Sequence, residues 1–99
     1  MPSRPNNIET LNRAIHRLHG CDSTHVESVR VVEYFDGAVA WQGVVEVFDL
    51  IDHPTAERAY AWAHQTDEGK TRYVAVLHKP PVDTPGAAVR ALIAAEQQK

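Results

Sequence analysis

With 99 residues the chain has room for one core, and its 43% hydrophobic and 23% charged residues speak against disorder. Its longest apolar runs fall far short of the ~20 residues a membrane helix needs, so no membrane association is expected. The net charge of −3 is uneven: residues 22–52 carry seven acids against one base, Arg30, a local charge of −6 that would repel a phosphate backbone and argues against nucleic acid as a partner.

The opening MPSRPNN has no apolar stretch of the kind a secretory leader uses. One cysteine, Cys21, cannot form an intrachain disulfide and suits a reducing cytoplasm. Residues 1–7 are expected to be a flexible arm, because Pro2 and Pro5 discourage regular structure, and residues 8–99 a single domain. A first helix should begin at Asn6 or Asn7, where Asn6 and Glu9 resemble a capping box. Ile8, Leu11, Ile15 and Leu18 recur at spacings of three and four, which places them on one stripe facing a sheet, while Arg13 and Arg17 stay in water. Gly20 is the expected stop.

Residues 25–50 hold two β-rich runs that meet at Asp36-Gly37, a preferred pair for a type I′ turn. A two-residue turn there pairs Tyr34 with Val39, Val32 with Trp41, Arg30 with Gly43, Ser28 with Val45 and Val26 with Val47, giving one largely apolar face. On the opposite face it sets Glu27 across from Glu46, with His25 nearby. Residues 54–65 carry alanines that would suit a helix, yet Tyr60-Ala61-Trp62-Ala63-His64 alternates large and small. Followed by Arg72-Tyr73-Val74-Ala75-Val76-Leu77, the run reads as a second hairpin turning near Glu68-Gly69, with Tyr60, Trp62, His64 and Tyr73 on one face. Pro80-Pro81 ends the last strand, and Thr84-Pro85 starts a second helix with Ala88, Val89, Leu92 and Ile93 on its apolar side. The prediction is an α+β domain, a four-stranded antiparallel sheet with two helices in the order α-β-β-β-β-α, both helices on one face.

The run His25-x-Glu27-Ser28-Val29, then Trp41-x-Gly43-x-Val45-Glu46-Val47-Phe48, His53-Pro54 and Tyr60-Ala61-Trp62, resembles a group of short uncharacterised bacterial proteins across roughly residues 11–95. That resemblance implies a small free-standing bacterial protein and brings no catalytic residues. The element order also invites comparison with double-stranded-RNA-binding domains, which run α-β-β-β-α. The extra strand and the absence of a basic start to the last helix leave that function uncarried.

No phosphate loop, nucleophile elbow, zinc-protease motif or dinucleotide fingerprint is present, so no cofactor is expected. Four constellations remain. His16, His19 and Cys21 have a spacing that could supply nitrogen and sulfur to a metal such as zinc, although a histidine at a helix C-terminus is favoured by the dipole alone. Glu27 and Glu46 with His25 form the catalytic candidate, since two carboxylates held close raise one pKa; a solvated sheet face is the commoner arrangement. Arg30, with space above Gly43, could receive an anion or simply snorkel to the edge. Trp62, Tyr60, His64 and Tyr73, with Trp41 as a further member, could stack a planar ligand, or fill a core or a subunit interface. The expected role is a small cytoplasmic interaction protein, homodimeric through its sheet and without catalytic activity. The alternative is a ligand-binding or catalytic domain that uses an aromatic and acidic sheet face.

Overall fold

The computed structural model describes residues 7–65 and 68–97. Six elements follow the expected order: α1 (Asn7–His19), β1 (Ser23–Phe35), β2 (Ala38–Leu50), β3 (Arg58–Gln65), β4 (Thr71–Leu77) and α2 (Pro85–Gln97). The strands form one antiparallel sheet in the order β1-β2-β3-β4. This is the predicted α+β fold. The Asn6 cap and residues 1–6 of the expected arm lie outside the described residues. Among the described residues no helix is long and apolar enough to cross a membrane.

The helix ends follow their local chemistry. Gly20 takes φ +71° and its N–H donates to the His16 carbonyl across 2.8 Å, closing α1. Thr84 caps α2, its Oγ1 accepting from the Ala87 N–H at 3.1 Å while its carbonyl accepts from Ala88. Residues 51–57 form the turn between β2 and β3. There His53 Nδ1 accepts the N–H groups of Thr55 and Ala56, the part an aspartate or asparagine side chain often takes.

Asp36 and Gly37 both have positive φ, +56° and +82°, as the type I′ turn requires, and the pairs Phe35↔Ala38 and Tyr34↔Val39 are those a two-residue loop gives. The expected register then fails after two pairs. Ala40 has no partner on β1, so Glu33 pairs with Trp41, Val31 with Gly43, Val29 with Val45 and Ser28 with Glu46. Val26 is a second unpaired residue, this time on β1, and it restores the first register for His25↔Phe48 and Thr24↔Asp49. Between these two bulges β1 is shifted by one residue relative to β2, and a one-residue shift turns every side chain to the other face. Val29 and Val31 therefore join Trp41, Val45 and Val47 in the core, whereas Val26 and Val32 face solvent.

The helices lie on opposite faces of the sheet, which corrects the expectation that both share one. Ala88 and Val89 of α2 pack with Val31, Val45, Val47, Tyr60, Trp62 and Val74. Leu11 and Ile15 of α1 pack with Phe48, Ala59 and Ala61, joined by Tyr73, Ala75 and Leu77. The reason is in the pattern of β2 and β3: Val45, Val47, Tyr60 and Trp62 alternate with Glu46, Phe48, Ala59 and Ala61, so both faces of the central strands are apolar enough to bury. Small alanines under α1 let that helix sit close, while the large aromatics fill the space beneath α2. Leu18, expected on the buried stripe, is 52% exposed at the end of α1.

Candidate functional site

The expected Glu27–Glu46 dyad does not exist. The Ala40 bulge sets Glu27 opposite Val47 on the α2 side and Glu46 opposite Ser28 on the α1 side. In its place Glu46 gathers a different group. Its Oε1 accepts from His25 Nε2 at 2.8 Å and from the Ser28 hydroxyl, and His25 stands edge-on to the buried Phe48 ring. Ser28 Oγ is 3.5 Å from the same histidine nitrogen. The Val26 bulge makes this convergence possible, because it puts His25, three residues before Ser28, opposite Phe48 and so on the same face as Ser28 and Glu46. A serine, a histidine and a glutamate are thus in contact, but they do not form a nucleophilic relay. Such a relay needs one ring nitrogen on the hydroxyl and the other on the carboxylate. Here one nitrogen lies near both partners, and the serine hydroxyl donates its hydrogen bond directly to the carboxylate.

Glu46 also marks where the sheet opens. β2 and β3 pair only from Glu46↔Ala61 to Asp49↔Arg58, although β2 begins at Ala38 and β3 continues to Gln65. Beyond Glu46 and Ala61 the two strands part, and a cleft of about 430 Å³ lies between them. Leu11, Gln42, Glu46, Ala63 and His64 line it together with Trp41 and Trp62. Trp41 lies over Gly43, where an added Cβ would stand 3.1 Å from its ring, and tilts at 60° against Trp62 with the centroids 5.9 Å apart. Trp62 itself is fully buried, and its Nε1 meets no hydrogen-bond acceptor among the described residues.

The remaining candidates are dispersed. Arg30 pairs with Val44 on the exposed part of the α1-side face, and the space above Gly43 is filled by Trp41. The second hairpin has the register Trp62↔Val74 and Ala63↔Tyr73, one residue from the expected one, because five residues separate β3 from β4. Tyr73 consequently lies on the α1 side, apart from Trp62 in the α2-side core, whereas Trp62, His64 and Trp41 do share the cleft. His16 is exposed beside Asp22 at 3.3 Å, and His19 Nε2 donates to the Ala75 carbonyl at 3.2 Å. Cys21 packs against the α1-side core, where burial first and the Asp22 carboxylate second raise its thiol pKa. Among the described residues no group of three or more His, Cys, Asp or Glu is placed to hold a metal ion. No family model, curated protein or solved structure matches the chain.

Two further polar contacts tie the layers together. The Tyr60 hydroxyl and His78 Nδ1 share a hydrogen bond of 2.5 Å beneath the α2 side. Burial raises the Tyr60 pKa, Arg58 opposes that shift, and the Asp83 and Glu27 carboxylates add to it. Glu33, mostly buried, meets Arg90 of α2 at 3.2 Å and sits against Gly86 in the first turn of that helix, where any Cβ would stand 3.0 Å from its carboxylate. A carboxylate at a helix N-terminus complements the dipole. Ser28 and Gln42 were not singled out from sequence. Their place depends on the bulge at Ala40, and Val39-Ala40-Trp41 carries no proline or glycine to mark it.

Proposed function

We propose that the protein is a small cytoplasmic interaction module without catalytic activity, which pairs with a second copy through the α1-side face of its long hairpin. The observation that carries this reading is an uncovered apolar surface. α1 shelters the proximal part of that face, and beyond it Val32, Tyr34, Val39 and Val44 are 40–66% exposed on the same side. Contiguous apolar patches of more than a few hundred Å² are seldom left in water, and closed two-fold pairing is the commonest way to cover one. A single half-buried cysteine accords with a reducing compartment.

Light scattering after size exclusion at micromolar concentration tests the assembly. The expected mass is that of two chains, falling to one chain in Val44→Asp. A wild-type mass of one chain that stays unchanged on tenfold concentration rejects the pairing.

A further inference from the structure

We propose that the cleft between the parted ends of β2 and β3 binds an organic cation, an alkylguanidinium or alkylammonium group held by Glu46. Three observations meet there. Glu46 is the only carboxylate among the cleft's described lining residues, and its side chain is 14% exposed, so its charge is only partly solvated. His25 and Ser28 both use Oε1, which fixes the carboxylate and leaves Oε2 without a hydrogen-bond donor among the described residues. Trp41, settled over Gly43 and braced by Trp62, gives the cleft an aromatic wall.

Glu46 lines the cleft from the α1 side of the sheet and Trp41 from the α2 side, so a flat or compact cation between them would draw on charge-assisted hydrogen bonding at one wall and on the indole at the other. The volume of about 430 Å³ falls within the range of small-ligand sites. An anion would meet Glu46, and the hairpin that carries the site has a net charge of −6 across residues 22–52. The other titratable groups near the carboxylate are His25 on Oε1 and His64 across the cleft. The cleft is an opening between two strands of one chain and is lined by residues of that chain alone.

The experiment is a titration of the full chain at about pH 8, where a free imidazole is neutral, read by tryptophan fluorescence and by backbone amide shifts. The probes are n-butylguanidinium, n-butylammonium, the neutral isostere n-butylurea, and N-acetylarginine methylamide. The expected result is saturable binding of the cations, with shifts centred on Trp41, Gly43, Val44 and Glu46, and at least tenfold weaker binding of the urea. Glu46→Gln should lower cation affinity at least tenfold while the far-ultraviolet spectrum keeps its sheet signature. Tighter binding of the arginine amide would assign the site to a peptide side chain, and tighter binding of n-butylguanidinium to a free small amine. Equal binding of cation and urea, shifts centred elsewhere, or no saturation at millimolar cation overturns the proposal. The wild-type shifts decide the matter even if Glu46→Gln fails to fold, and the mass of the chain is measured separately.

Discussion

Replacing Gly43 with alanine isolates how tightly Trp41 is seated. An added Cβ would stand 3.1 Å from both Cζ2 and Cη2 of that ring. Carbon atoms in good contact are about 3.5–4.0 Å apart, so the ring must retreat by about half an ångström. It cannot do so freely, because Trp62 lies behind it at 5.9 Å. Overpacking of this kind costs about 1–3 kcal/mol. Against it stands the backbone gain of alanine over glycine in a strand, about 0.5–1 kcal/mol. The overpacking wins, and a net loss of about 1 kcal/mol should lower Tm by roughly 4–8 °C in a domain of this size. The control is the same change in a Trp41→Leu background. There the clash is gone, and Gly43→Ala should stabilise by the backbone term alone, about 0.5–1 kcal/mol. Urea unfolding followed by circular dichroism measures all four chains of the cycle. If Gly43→Ala raises the midpoint equally in both backgrounds, Trp41 does not rest on Gly43 and the aromatic wall of the cleft is misplaced.

Two other substitutions test the turn and the core. Gly37→Val should destabilise by about 1–2 kcal/mol, because φ +82° forces a β-branched residue into left-handed geometry; an unchanged thermal midpoint would refute the turn. The raised pKa of Tyr60 means that above about pH 10 the unfolded chain releases this proton before the folded one does. Stability should therefore decline as pH rises from there toward the folded value, and Tyr60→Phe should remove that part of the decline. A difference between the two chains that does not vary with pH in urea unfolding would contradict it.

The elements were legible because their signals are local. Gly20, Thr84 and Asp36-Gly37 each act within a few residues, and each forms the stop, cap or turn its chemistry implies. Faces were harder to read, since period-2 reasoning assumes an unbroken ladder. One extra residue at Ala40 moved Glu27 away from Glu46 and brought Ser28 to it, and nothing in that alanine announces the shift. Val29 and Val31 looked like the mixed side of a hairpin until the bulge turned them inward. The split between β2 and β3 is a tertiary outcome as well. Those strands share four paired positions and then diverge, and Trp41 and Trp62 meet where they part.

The crosswise docking of the helices bears on how the chain can be divided. α1, from the N-terminal end, rests mainly on β3 and β4, whereas α2, from the C-terminal end, rests mainly on β1 and β2. A cut in the turn at residues 51–57 would thus separate each helix from most of the surface that holds it. Neither half would carry its own lid: one would expose the strands that α2 covers, and the other those that α1 covers. The two fragments should consequently be poorly ordered alone and reassemble when mixed, each completing the other's missing layer. The same interlock couples the cores on the two faces of the sheet, so that loosening either helix unseats strands needed by the other and the domain melts as one unit.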